Sequence, residues 1–205
     1  MTPMSGSNGA EEPKWKRFLT PWKIAAVLLA VFLIGQAYFA WRDGFLVTAL
    51  DTSPAFATPD FPLEFSRKIQ YDPLTFVGRG ARAGFWNWTQ EGLELTLEGA
   101  KYFRMEGDMI VSQVQAGRRK VSRFRNKEMR DGRALRYTID FFYEWTEILP
   151  PAVALLYPPP KMNQEYLGRA IFYQGPNGLE VTSLEMRDFE EPLAHLQSIA
   201  SGVLQ

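Results

Sequence analysis

The chain holds a single histidine, His195, and no cysteine. A Ser-His-Asp relay needs a histidine set between a nucleophile and an acid. His195 lies instead beside Glu190 and Glu191 on an apolar-periodic C-terminal segment, where it reads as a solvent-facing residue. Without cysteine there are no disulfides, no thiolate chemistry and no cysteine-ligated metal. A lone histidine excludes a histidine-rich metal centre. Asp188, Glu190 and Glu191 are too loosely arranged for a carboxylate metal site. No catalytic residue, metal ligand or cofactor is therefore assigned, and the expectation is a protein that is not an enzyme.

Two other stretches carry chemically suggestive residues. Val77–Gly84 reads VGRGARAG. A dinucleotide fingerprint is G-x-G-x-x-G between a strand and a helix, but here the third glycine comes one residue late and the next residues, Phe85–Trp88, look like strand. A tight or mobile loop is expected, with Arg79 and Arg82 available to hold a phosphate or carboxylate. The second stretch is basic. From Arg118 to Arg136 nine cations face two acids, whereas from Tyr137 onward three cations face nine acids. Arg118, Arg119, Lys120, Arg123, Arg125 and Lys127 are the expected contacts to an acidic protein face or anionic lipid, unless the run simply balances the acidic final third of its own domain. Few aromatics interleave with these cations, and nucleic acid is not expected as a partner.

The element that positions all of this is Trp22–Trp41, WKIAAVLLAVFLIGQAYFAW. Its twenty residues span ~30 Å as a helix, the thickness of a bilayer's hydrocarbon core. Ile24–Trp41 carries no charge. Thr20 suits an N-cap and Pro21 the first helical position. Lys14, Lys16, Arg17 and Lys23 precede the core and only Arg42 follows closely, so the N-terminus is expected in the cytoplasm and the C-terminal domain in the periplasm or its equivalent. The apolar run is long for a signal peptide. Ala37 and Ala40 have cleavage-site spacing but are crowded by Phe39 and Trp41, so a retained anchor in the cytoplasmic (inner) membrane is expected. Ala26, Ala30, Leu33, Gln36, Ala37 and Ala40 form a face of mostly small residues that could meet another membrane helix.

The expected domain plan follows. Residues 1–20 form a disordered cytoplasmic tail, 21–42 the transmembrane helix and 43–66 an extended Pro-rich connector. Residues 67–205 form the extracytoplasmic domain. Short strands are expected at Leu74–Val77, Phe85–Thr89, Leu93–Glu98, Tyr102–Glu106, Met109–Gln115 and Lys120–Arg125. The clearest is Leu135–Trp145, with Leu135, Tyr137, Ile139, Phe141, Tyr143 and Trp145 on one face. A hairpin, Tyr166–Gln174 and Leu179–Met186, turns at Gly175–Gly178. Phe189, Leu193, Leu196, Ala200 and Val203 recur at helical spacing and end the chain. The fold class is a single-pass membrane protein with a mainly antiparallel β domain, a sandwich or half-open roll, and a short C-terminal helix.

Pro150–Pro160 encloses the apolar run AVALLY, too short to span a bilayer and too proline-rich for a central strand. It either folds over the core or is an apolar docking loop through Val153, Leu155, Leu156 and Tyr157. Gly92–Tyr102, GLELTLEGAKY, together with the anchored topology, loosely resembles the bitopic β-roll proteins of lipopolysaccharide export. The Pro-rich loop and basic run depart from that pattern, and the family is not assigned. The expected function is a non-enzymatic accessory subunit that docks on and stabilises a larger complex of integral membrane proteins, such as an energy-transducing respiratory or photosynthetic one, with membrane lipid around it. The alternative is a β domain that handles lipid or glycolipid in envelope transport.

Overall fold

A computed structural model describes residues 21–130, 136–176 and 178–202, with the side chains of 126–130 outside the described set. The expected tail 1–20, together with Leu135 and Val203, lies outside the described residues. The chain forms two compact units, Met1–Phe45 and Leu46–Gln205.

In the first unit the apolar stretch is one uninterrupted helix, the greater part of α1 (Pro21–Asp51). At 31 residues α1 measures ~46 Å, more than a hydrocarbon core requires. None of its most apolar window is buried, and its length and composition are those of a membrane anchor or a signal sequence. Ala26, Ala30, Leu33, Gln36, Ala37 and Ala40 are all exposed. Tyr38, Trp41 and Phe45 stack in sequence along the C-terminal part, with ring centroids 6.3 and 4.7 Å apart.

The second unit begins inside the same helix. Leu46 and Leu50, one turn apart, are buried in its core. Thr52 closes the helix by bonding back to the Thr48 carbonyl, and Pro54 holds Ser53 extended. A short α2 (Pro54–Ala57) and strand β1 (Glu64–Ser66) follow. The expected extended connector over 43–66 is therefore corrected: the helix runs past residue 42. Phe56, Phe61 and Phe65 are core residues, and only Phe45 of the four phenylalanines is strongly exposed. Proline and glycine read as linker composition, but apolar burial decided the structure.

Three antiparallel sheets share one core. β1 pairs with β5 (Met109–Ser112), which pairs with β4 (Phe103–Glu106). β2 (Trp86–Thr89) and β3 (Gly92–Leu95) make a hairpin. β6 (Gly117–Arg130), β7 (Arg136–Ile148), β8 (Glu165–Gly175) and β9 (Gly178–Glu185) form a four-stranded meander. Ile139, Phe141, Tyr143 and Trp145 are buried along β7, as strict alternation predicts. The β8–β9 hairpin closes through Gly175 opposite Gly178. The C-terminal helix α5 (Arg187–Ala200) packs on β1 and β8 through Phe189, Leu196 and Ala200.

The expected strand Leu74–Val77 and the expected loop at 77–84 are both corrected. Leu74 lies in a turn, and Phe76–Arg82 is a helix, α3. The glycines serve close packing. Gly78 lies against the Pro73 backbone, and a Cβ at Gly80 would overlap the Trp86 indole. Trp86 is fully buried, donates from Nε1 to the Val77 carbonyl at 2.8 Å, and meets Phe65 and Phe103 edge-on at 5.3 and 5.4 Å. Gly80→Ala is expected to cost about 1–3 kcal/mol by overpacking this contact, read as a lowered urea midpoint with unchanged slope.

Candidate functional site

Part of the basic run is absorbed by the fold. In β6, Arg119 faces Trp145 of β7 and is 4% exposed. Its Nε and Nη2 donate to the carbonyls of Phe56 and Ala55 at 2.8 and 3.2 Å. These carbonyls belong to α2, so the cation sits at the negative end of a short helix. Four rings surround the guanidinium: Phe56, Tyr143, Trp145 and Phe189, at 5.4, 5.4, 5.0 and 5.3 Å. Tyr143 donates to Asp188 Oδ1 at the start of α5. Burial pushes the Arg119 pKa down and those of Tyr143 and Asp188 up, and the hydrogen bond from Tyr143 pulls Asp188 part of the way back. Arg119 as a contact to lipid or a partner is corrected: it holds the core.

Arg118 pairs with Glu147 at 3.3 Å across the β6–β7 ladder. Arg123 forks onto Glu165, with Nε to Oε1 at 3.1 Å and Nη2 to Oε2 at 2.8 Å, while stacking 4.0 Å over Phe142. Ser122 donates to the same carboxylate. The acidic final third thus answers part of the basic run within one domain. Lys120 and Arg125 are exposed, and the side chain of Lys127 lies outside the described set.

The Pro-rich segment forms α4 (Pro150–Leu155), started by two prolines at positions where no N–H is needed. Leu155 and Leu156 are buried, so the apolar docking loop is corrected to Val153 and Tyr157, which are 49% and 72% exposed. A third apolar residue joins them from elsewhere in the chain. The Asp72 carboxylate accepts the Leu74 N–H at 2.8 Å, an Asx turn that opens α3 and leaves Leu74 84% exposed. Arg79 ties the two segments together. It donates to the carbonyls of Leu74, Ala154 and Leu155 at 3.3, 3.2 and 2.8 Å, and its guanidinium carbon lies 6.0 Å from the Tyr157 ring. Burial, then neighbouring Arg82, lowers the Arg79 pKa. Arg82 donates to the Pro73 carbonyl at 2.9 Å. Both arginines are engaged with backbone, which corrects the expected phosphate or carboxylate cradle.

Leu74, Val153 and Tyr157 are thus exposed apolar side chains on the two segments that Arg79 joins. Exposed apolar side chains near an arginine are the composition of protein contact surfaces. Sequence reasoning found Val153 and Tyr157 through the proline frame. It missed Leu74 and the role of Arg79, whose partners lie 75 and 76 residues away along the chain. His195 is exposed on α5. Among the described residues no three of His, Asp and Glu converge as a metal site.

The class that these features define is a protein with one long apolar N-terminal helix and a mainly antiparallel β domain closed by a C-terminal helix. Comparison with protein families, curated proteins and solved structures finds no match.

Two outcomes follow from these geometries. Arg119→Ala leaves two α2 carbonyls and a ring-lined hole unfilled, so a loss of about 2–5 kcal/mol in chemical unfolding is expected, with Arg119→Lys intermediate. Arg123 holds the Glu165 carboxyl down to about 2. A depressed carboxylate contributes stability above its unfolded pKa of about 4.3 and loses it as pH falls through the folded value. Arg123→Gln should therefore lower the urea midpoint at neutral pH. The gap to the parent should close between about pH 5 and 2, and carboxyl NMR should show Glu165 titrating higher than in the parent but still below the ordinary glutamate range, because Ser122 still donates to it.

Proposed function

We propose that this chain is a non-enzymatic accessory subunit, anchored by α1 in the cytoplasmic membrane with its β domain on the far side, which docks on and stabilises a larger complex of integral membrane proteins. The patch of Leu74, Val153 and Tyr157, on the segments that Arg79 joins, carries this reading. An exposed tyrosine beside an ordered arginine matches two of the residue types enriched among the anchors of protein contacts, and the exposed leucine adds apolar area. The cations crowded before the apolar helix support the orientation. The exposed face of Ala26, Ala30, Ala37 and Ala40, with Gln36 beside it, supports a second, helix-to-helix contact within lipid. An energy-transducing complex suits such an arrangement. Membrane lipid would fill the remaining contacts of the helix.

The test is purification from native membranes in mild detergent through a C-terminal tag, with mass spectrometry of the co-purifying chains. A fixed-stoichiometry set of integral membrane proteins is expected. Leu74→Glu combined with Tyr157→Glu should reduce that set at least tenfold, about 1.4 kcal/mol or more of lost binding. Both residues are exposed, so unfolding of the purified chain should change by only about 0.5 kcal/mol. Migration of the parent protein alone would overturn the proposal.

A further inference from the structure

A second surface feature is unrelated to the patch and concerns a different kind of ligand. After β1, the chain turns at Ser66–Ile69 and stitches two sheets together. The Arg67 N–H donates to the Asp108 carbonyl and the Arg67 carbonyl accepts from the Leu93 N–H, both at 2.8 Å. Gly92 permits this approach. Its φ is +114°, and a Cβ there would strike the Arg67 carbonyl. Between the turn, the β2–β3 hairpin and the β4–β5 turn lies an open cleft of about 540 Å³.

The wall has a consistent chemistry. Two cations and two carboxylates line it: Lys68 with Asp108 at 2.6 Å, and Arg67 with Glu91 at 3.9 Å. The charges cancel, so the site does not select a net anion or cation. It offers paired donors and acceptors, to which the Gln90 amide adds both kinds. The Arg67 Nε makes no hydrogen bond. At the rim stands Trp88, 46% exposed although its neighbour in alternation, Trp86, is fully buried. Tyr71, 41% exposed, leans on Trp88 at 5.8 Å between ring centroids. An aromatic face carries negative partial charge and attracts weakly polarised C–H groups.

A ligand that matches has a flat C–H face, a ring of hydroxyls at its edge, and no net charge. We propose that this cavity binds a neutral saccharide, with one sugar ring lying on Trp88 and its hydroxyls bonded to Gln90, Glu91 and the Lys68–Asp108 pair. The site shares no residue with the docking patch, and the proposal stands whether or not the chain is an accessory subunit.

The experiment uses the full chain, with ¹⁵N-labelled tryptophan, in a detergent that carries no sugar headgroup. Chitotriose and maltotriose are titrated while the indole N–H resonances are followed. Trp88 is assigned by the signal lost in Trp88→Phe. The expected result is a saturable shift of the Trp88 resonance with at least one of the two sugars, at a dissociation constant near or below ~10 mM. The buried indoles of Trp86 and Trp145 should not move. Gln90→Ala, an exposed substitution outside the core, should weaken that binding at least threefold while leaving the indole spectrum otherwise intact. Trp88→Ala removes the reporter and is read instead, beside the parent, by saturation-transfer NMR of the sugar protons, in which binding should be lost. No shift with either sugar up to ~50 mM would overturn the proposal. So would a response to inorganic phosphate equal to that of the sugars, or binding unchanged in Gln90→Ala and Trp88→Ala.

Discussion

The β domain depends on a cation placed where a core would ordinarily refuse one. Arg119 carries its charge among four aromatic rings, and its nearest hydrogen-bond partners are carbonyls rather than a carboxylate. Removing an ion from water is costly, and guanidinium is the cationic side chain that suffers least because it is weakly hydrated and planar. Ring faces supply diffuse negative charge, two α2 carbonyls supply directed acceptors, and Asp188 adds a longer-range attraction. Through this one group α2, β6, β7 and α5 are brought to a common point. Phe56 serves in both roles, as a ring beneath the cation and as a carbonyl bonded to it.

The same economy recurs with other arginines. Arg79 joins α3 to the end of α4, Arg82 secures the turn before α3, and Arg123 clamps the start of β8. A run that looks in sequence like a basic surface is thus partly internal wiring. Large apolar and aromatic side chains also stand exposed on the domain, among them Leu97, Leu74, Tyr157 and Trp88. Contact chemistry of that kind is less salt-dependent than a lysine-arginine patch would be.

Much of the fold was legible because period-2 alternation survives wherever one face is buried. β7 and the β8–β9 hairpin follow from it directly, and the apolar stripe of α5 follows from spacings of three and four. The basic strand did not yield to the same reading. β6 has register irregularities near Arg118, Ser122 and Arg125, and each one shifts the parity of inward and outward positions. Arg119 shares the inward face of Gly117 and Val121, ahead of the irregularities at Ser122 and Arg125, and its type rather than its parity hid its burial. The glycines of α3 misled for a related reason. Glycine signals either backbone freedom or close approach, and only the position of Trp86 tells which. The segment 43–66 misled through its prolines: Pro54 starts α2 just after α1 ends, and the phenylalanines around Pro59 and Pro62 enter the core. The proline frame of α4 singled out Val153 and Tyr157, which are exposed, together with Leu155 and Leu156, which are buried. Leu74 and the Trp88 cavity depend on chain segments that meet only in three dimensions.

The turn at Arg67 has a consequence for motion. One residue donates to the loop of one sheet and accepts from the strand of another. Neither small sheet can fray at that corner without breaking the bond that serves its neighbour. Local opening in proteins proceeds by cooperative units, and shared backbone bonds enlarge such units. The β1–β5–β4 sheet and the β2–β3 hairpin, separate by strand pairing, are thereby joined into one block through Arg67. The cavity between them has its floor built from the seam of that block, so the shape it presents persists for as long as the block stays closed.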